Sequence, residues 1–496
     1  MSANIVLISF YIPKSLGVKY LENALAASGY EVTSVFFKRF NSINPKEVTE
    51  TEISLLVDLI KEKKPLAIGL SVMASVYLDQ VYKVNERLRK ECAAPVIWGG
   101  VYPTIFPEKC LDYADFVIRN EGEGAIVALA DMLKAGGNDF SRVQNLVYRQ
   151  DGEIVHNELA QLITALDQFG VPTIGGDNKY VIENDQLIEG DPGLHSFSYE
   201  TSCSRGCPFA CTYCSVPALR KASRGCGTWV RFRQIDDVIA ELKSAKAKMK
   251  KLKFIRFWDE IFCDDLEWVK AFVEKYKEIG LPFEIWGHPL RIDEQTVPLL
   301  KKAGLYKVVM GIQSGSPTIR REIFKRPEKQ EQILAASRVL TKYKVPQVIY
   351  DLMLRHPFET AETMKETYEL CKELEKPFSL QMHGLNFLPG TDIVQKAINA
   401  NLVSPEEMDN LMYGTMQELY DRHWSADNAD ETINYYYKLT FLTQFSCYRS
   451  ALKQLEQDPT NERYKQKLEK LYEQAGRKMR RRHIYKKIML FIKGTF

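Results

Sequence analysis

No stretch of this 496-residue chain stays apolar and uncharged long enough to cross a bilayer. The N-terminus, Met1-Ser2-Ala3-Asn4, has no basic segment ahead of an apolar run, so no signal peptide is expected. A dominant charge sign is also lacking. Lys and Arg number 67 against 64 Asp and Glu, which implies no global field for nucleic acid or membrane. Ten cysteines are too sparse for a disulfide scaffold in a chain of this length. Seven of them (Cys92, Cys110, Cys203, Cys226, Cys263, Cys371 and Cys447) are scattered as reduced thiols would be, which points to a cytoplasmic protein. Histidine is missing from the first 155 residues, the earliest being His156.

The remaining three cysteines are concentrated. Cys207-Pro208-Phe209-Ala210-Cys211-Thr212-Tyr213-Cys214 spaces them by four and three residues, which suits one loop around one inorganic centre. A zinc site would want a fourth Cys or His at ribbon or finger spacing, and none is so placed. Cys203, four residues upstream, reads as a buried thiol. Three thiolates fall one short of the shell of an electron-transfer 4Fe–4S cluster, which leaves one iron open.

The length predicts two or three domains. Residues 1–150 alternate strand and helix, with strands at 4–10, 31–37, 66–73, 95–98 and 116–119. That alternation predicts an α/β fold with a doubly wound parallel sheet and a ligand crevice beyond its strand ends. Residues 151–195 are rich in Gly, Asp, Asn and Pro and read as a linker with one short helix near 159–168. From 196 to about 400, six strands alternate with helices, as in a partial (βα)6 barrel with the cysteine loop after its first strand. Residues 401–496 read as a helical domain. Its tail is basic at Arg477–His483 and apolar at Ile488–Ile492, which fits a helix on an anionic membrane face or one docked on the protein. Tyr435, Tyr436, Tyr437 and Trp424 read as substrate floor or as core. Nucleic acid is not expected, since no aromatic platform accompanies the charge.

Ser204-Arg205-Gly206-Cys207-Pro208-x-x-Cys211-x-Tyr213-Cys214 closely resembles the signature of radical S-adenosylmethionine (SAM) enzymes. The turns of residues 1–150 resemble the cobalamin-binding domain that precedes many of these barrels. The turns are Ser71-Val72-Met73, Gly99-Gly100-x-x-Pro103-Thr104 and Glu121-Gly122-Glu123-Gly124. The resemblance implies a 4Fe–4S cluster on Cys207, Cys211 and Cys214, and SAM on the open iron. It also implies cobalamin against Ser71, Val72, Met73, Gly99, Gly100, Thr104, Glu121 and Gly122, without a histidine below the cobalt. Barrel turns that resemble the family's assign SAM to Tyr213, Asp259, Arg291, Gln313, Ser314, Asp351, Leu388 and Pro389. Gln313 stands where glutamate is usual; its amide can still hydrogen-bond a ribose but carries no charge, so only a role tied to charge does not carry over. Arg355-His356 replaces the usual glycine.

The resemblance further implies a 5′-deoxyadenosyl radical and a methyl group carried by cobalamin to an unactivated carbon. No general acid or base is nominated, because radical transfer needs none. An external flavodoxin- or ferredoxin-type electron donor and a small or lipid-like substrate are implied as partners. Cyclisation or rearrangement without methyl transfer is the first alternative, and a non-enzymatic corrinoid or redox sensor the second. A methylthiotransferase would bring three more N-terminal cysteines, whereas residues 1–150 hold only Cys92 and Cys110.

Overall fold

The computed structural model describes residues 3–40, 45–262, 264–424 and 430–493, with side chains as far as Arg481. Cys263 and the apolar end of the tail lie outside the described residues and side chains.

The first layer begins with β1 (Asn4–Phe10), in which every residue is buried, as a central strand between helical layers requires. Helix α1 (Leu16–Ala27) leads to β2 (Glu31–Phe37), and α2 (Glu50–Lys63) to β3 (Ala67–Ser71). Thr49 and Glu52 close a reciprocal capping box at the start of α2. Then come α3 (Leu78–Glu91), β4 (Val96–Gly99), the short α4 (Val101–Ile105) and α5 (Pro107–Cys110), β5 (Phe116–Ile118) and α6 (Glu123–Lys134).

The segment read as linker is only partly one. The sheet continues through β6 (Leu146–Gln150), β7 (Glu153–His156), β8 (Lys179–Glu183) and β9 (Gln186–Glu189). Nine strands result, in the order β7-β6-β5-β4-β3-β1-β2-β8-β9. Strands β1–β5 and β8 are parallel, and antiparallel β6, β7 and β9 finish the two edges. No helix forms over 159–168. Ile163 there gives its amide to Glu121 at 2.7 Å, and its carbonyl accepts from Arg231 at 2.7 Å, so side chains take what a helix would have used.

Strand β10 (Ser198–Thr201) opens the barrel, and β11 (Ser204–Arg205) pairs antiparallel with β12 (Arg231–Phe232) around the cysteine loop and α7 (Ser215–Ala222). Helix α8 (Ile235–Lys248) precedes β13 (Phe254–Phe257), α9 (Leu266–Tyr276) precedes β14 (Phe283–Gly287), and α10 (Thr296–Ala303) precedes β15 (Leu305–Gln313). Then follow α11 (Gln330–Lys342), β16 (Gln347–Leu354), α12 (Ala361–Glu373) and β17 (Ser379–Gly384). The six strands are all parallel, in the order β10-β13-β14-β15-β16-β17, as the pattern predicts. Between β15 and β16 the chain forms a turn at Ile319–Ile323 and then α11, not one continuous helix. Pro327 explains the break, since the residue before a proline is driven out of helical geometry.

Helices α13 (Asp392–Asn399), α14 (Pro405–Tyr413), α15 (Met416–Trp424), α16 (Glu431–Leu442), α17 (Arg449–Leu455) and α18 (Glu462–Lys493) complete the chain. Tyr435, Tyr436 and Tyr437 are packed core. No helix among the described residues is long and apolar enough to cross a membrane.

Candidate active site

The cysteine loop leaves the carboxyl end of β10. Cys211 is buried, and Cys207 and Cys214 are half-buried. Burial pushes the Cys207 thiol up to about 12 and that of Cys214 to about 11, and the sulfurs raise one another further. Taking up iron would require each of the three to lose its proton. Among the described residues no three Cys, His, Asp or Glu side chains close on a single ion. Three cysteine sulfurs on one short loop are the donor set that iron–sulfur clusters take, so the triad fits the group the sequence implies. Cys203 is fully buried in the barrel core, as a structural thiol should be.

Much of the loop's support was not legible beforehand. Phe209 stacks on His288 with ring centroids 4.0 Å apart. His288 Nε2 lies 3.4 Å from Glu328, and Arg326 donates to Glu328 at 2.6 Å, to Tyr213 Oη at 2.9 Å and to the Gly311 carbonyl at 2.8 Å. Although burial opposes it, this pairing holds the Glu328 carboxyl down at about 2. Arg326 and Glu328 follow no motif in the notionally helical stretch before α11, and only the tertiary fold brings them under the loop.

The residues expected at SAM separate into two groups. Gln313 (φ +67°), Ser314 and Asp351 meet at the ends of β15 and β16, with Gln313 Nε2 3.4 Å from Asp351. Ser314 shares a hydrogen-bonded turn with Thr367 and Ser316. Leu388 and Pro389 form a turn closed by Thr391, which donates to the Leu388 carbonyl at 2.6 Å. The others are already engaged. Asp259 accepts from the Cys203 amide at 2.9 Å and from Ser204 Oγ at 2.5 Å, and burial lifts its carboxyl to about 7. Arg291 is paired with Asp264 at 2.7 Å, where a partner for a ligand carboxylate was expected. The neighbour of Asp259, Glu260, is the open carboxylate of that turn.

A cavity of about 400 Å³ lies where the sheet's strand ends meet the barrel. Strand order reverses between β1 and β3, and the cavity sits at that switch point. Its floor is apolar, with Leu7, Leu21, Ile97, Ile118 and Ile126, and its roof is Ser202, Ser204, Arg205, Trp258 and Glu260 from the barrel. Ser71, Met73, Gly99, Gly100, Glu121 and Gly122 line it, as the resemblance implies. Val72 and Thr104 do not. The Val72 carbonyl accepts from the Tyr102 amide at 3.2 Å, and Thr104 bridges the Gly100 carbonyl and the Asn120 amide. Gly100 is obligatory, because at φ +115° a Cβ would stand 2.7 Å from the Val72 carbonyl oxygen. No histidine lines the cavity. An apolar slot beneath glycine-edged strands, open toward the cysteine loop, fits a corrinoid without an imidazole ligand.

Charged clamps hold the two halves in register. Arg205 pairs with Glu121 at 2.9 Å and Glu123 at 2.6 Å, and Arg231 pairs with Glu121 at 3.0 Å. Burial would raise the Glu121 carboxyl, but the two guanidiniums keep it low. Lys14, from the loop after β1, donates to Ser196, to Ser198 and to Glu200 at 3.0 Å. Glu200 then starts an alternating ladder through Arg256, Glu284 and Lys307 across the barrel floor. Arg205 stands two residues before Cys207, which was the one visible hint of this clamp.

The fold and site define a radical SAM barrel joined to a corrinoid-binding sheet. Comparison with known families agrees, the Radical SAM superfamily model matching residues 201–371 and the B12 binding domain model residues 5–130. The chain belongs to the cobalamin-binding-domain-containing radical SAM enzymes. The cofactors of that family are a 4Fe–4S cluster, SAM and cobalamin. The cytidylyl-2-hydroxyethylphosphonate methyltransferase of Streptomyces wedmorensis is 23% identical over 79% of this chain and 79% of its own. An anaerobic magnesium-protoporphyrin IX monomethyl ester cyclase of Rubrivivax gelatinosus is 24% identical over 72% of this chain and 61% of its own. The fold is shared with TsrM from Kitasatospora setae, a radical SAM methyltransferase seen with tryptophan and aza-SAM. That match has a TM-score of 0.62 and 17% identity over 80% of this chain and 77% of the other. OxsB, a cobalamin-dependent radical SAM enzyme, matches with a TM-score of 0.62 and 16% identity over 96% of this chain and 72% of its own.

Proposed function

We propose that this enzyme methylates an unactivated carbon of a small substrate. When bound, the cluster and SAM supply the 5′-deoxyadenosyl radical and the corrinoid carries the methyl group. The observation that carries the reading is the shared mouth, where the apolar slot of the sheet is roofed by Ser202, Ser204 and Arg205, immediately before Cys207. Cys207, Cys211 and Cys214 would hold the cluster, and Gln313, Ser314, Asp351 and the Leu388–Pro389 turn would orient SAM. The Arg205–Glu121–Arg231 clamp fixes the distance between the two cofactor sites. Phe209 on His288 and Tyr213 on Arg326 keep the loop from shifting.

Similarity to the Streptomyces wedmorensis methyltransferase supports methyl transfer. The Rubrivivax gelatinosus cyclase is as similar in sequence, so ring formation without methyl transfer is the second reading. Nine described cysteines without disulfides suit a reducing cytoplasm, with an external low-potential protein as electron donor. Peripheral contact of the basic tail with the membrane, and a lipid-like substrate drawn from it, belong to the same proposal.

The test is anaerobic reconstitution with iron, sulfide and hydroxocobalamin. Wild type should bind corrinoid and form 5′-deoxyadenosine, and Cys211→Ala should form none. Product made from trideuteromethyl SAM should carry the label. An unlabelled product would move the assignment to the cyclase reading, and no SAM cleavage by wild type would defeat both.

A further inference from the structure

At the far side of the barrel mouth, buried polar atoms are left without partners. Arg355 follows β16 directly at φ +57°, a left-handed conformation that a bulky residue keeps only where its surroundings enforce it. Its guanidinium lies 4.8 Å over the ring of Tyr437, and both Nε and Nη1 are buried with no hydrogen-bond partner. The nearby Glu359 accepts from the Arg355 backbone amide at 2.7 Å through one oxygen; its other oxygen is buried without a hydrogen-bond partner and forms no ion pair with the guanidinium. Two imidazoles share the place. His383, near the end of β17, lies 3.3 Å from Asp351, and its ring is 4.7 Å from that of His423 on α15. His423 Nδ1 is likewise buried and unpartnered. Arg355 is near enough to disfavour the charged form of both imidazoles. A desolvated guanidinium with an empty fork is costly unless something negative completes it.

The helix that brings His423 is fixed from both sides. The Met416 amide at its start lies 3.4 Å from Asp79, the Met416 side chain is buried in the core of the first sheet, and Tyr420 meets Phe40 at 6.4 Å. Helix α15 thus crosses from the corrinoid-binding sheet to β17 and holds His423 over the mouth. None of Arg355, His383 and His423 belongs to the residues assigned to the cluster or to cobalamin.

We propose that Arg355 and His423, with His383 positioning His423, bind an anionic oxygen group of the substrate, phosphoryl or carboxylate. The fork of Arg355 would take two oxygens and His423 Nδ1 a third. Both nitrogens of His383 are engaged, Nδ1 at 3.0 Å from the Gly384 carbonyl and Nε2 at 3.3 Å from Asp351. Asp351, next to His383, would keep that imidazole oriented. This site rests on the reading above that the enzyme acts on a small substrate at the barrel mouth.

The reconstituted full-length enzyme is titrated calorimetrically with inorganic phosphate and, separately, with acetate. Saturable binding of either anion is expected, about tenfold weaker in Arg355→Gln. It should be weakened less in Arg355→Lys, which keeps the charge and loses the fork, and it should also weaken in His383→Gln. Tighter phosphate assigns a phosphoryl group, and tighter acetate a carboxylate. No saturable binding to wild type, or equal binding to wild type and to an Arg355→Gln protein that melts normally, would overturn the site. So would an Arg355→Gln variant that loses S-adenosylhomocysteine while still binding the anions, since Arg355 would then serve SAM. Formation of 5′-deoxyadenosine by wild type reads the proposed function separately, so either idea can fail alone.

Discussion

The two sides of the barrel mouth are built differently. On the cysteine side, guanidiniums are matched by carboxylates: Arg205 and Arg231 on Glu121, Arg233 on Asp167 and Glu241, and Arg326 on Glu328. On the β16–β17 side, Arg355 has no ion pair among the described residues, and its Nε and Nη1 are buried without a partner. Single buried atoms lack a hydrogen bond on both sides, Arg233 Nη2 and Glu328 Oε2 among them, so the contrast lies in the charges. A matched charge holds its neighbours in place, whereas an unmatched buried one is costly until a ligand or water satisfies it.

The sharpest break comes from Glu121→Ala. It strands Arg231 and half of the Arg205 fork at the junction between sheet and barrel, where both guanidiniums are largely buried. Removing one partner of such a pair costs about 3–5 kcal/mol. The melting midpoint should fall sharply and the apparent affinity for hydroxocobalamin should fall with it. Arg355→Gln should change the midpoint of the ligand-free enzyme far less, because no ion pair is broken there and only the contact with the Tyr437 ring is lost. Equal losses in the two variants would erase the contrast between the halves.

The class of each half was legible because it depends on local pattern. The buried run of β1, the Gly99–Gly100 turn and the spacing of Cys207, Cys211 and Cys214 are written in adjacent residues. Strands β7 and β9 were hidden because short antiparallel edge strands have turn-rich composition and little apolar content, Gln186–Glu189 being wholly exposed. The buried parallel strand β8 was hidden by the Gly- and Asp-rich residues on either side of it. The pairing of Arg291 was hidden for a different reason. Its turn matches the family pattern, but Asp264, from another loop, occupies its guanidinium. The Arg326–Glu328–His288 support was invisible, since its members come from distant segments and share no spacing. Arg355 was noticed only as a departure from glycine, and its significance came from the partners it lacks.

A smaller effect concerns the turn after β16. Burial drives the His356 imidazole down to about 4 and lifts the Glu359 carboxyl to about 7. The unfolded chain takes up a proton at His356 near pH 6.5, so this residue removes stability as pH falls from about 6.5 to 4. Glu359 acts oppositely: the folded state keeps its proton longer, and stability falls as pH rises from about 4.5 to 7. Each slope amounts to about 3 kcal/mol and the two largely cancel in wild type. His356→Gln should expose the alkaline loss and Glu359→Gln the acid loss, read as melting midpoint against pH. Parallel profiles for both variants would mean that neither group is held in its neutral form.

The finest comparison is within the cysteine side itself. Tyr213 was assigned to SAM by resemblance, yet its hydroxyl accepts from Arg326 at 2.9 Å and its ring meets Phe324 at 5.0 Å, edge to face. A phenylalanine keeps the ring contact and loses only a hydrogen bond to a charged donor, worth about 1.5–3 kcal/mol. Arg326 retains Glu328 and the Gly311 carbonyl, so the lower figure applies. Tyr213→Phe should therefore lower the melting midpoint modestly and retain full iron and sulfide content. Its calorimetric affinity for S-adenosylhomocysteine should match wild type. A loss of that affinity with an unchanged midpoint would show the reverse, that the hydroxyl serves the ligand and the bond to Arg326 exists only while the site is empty.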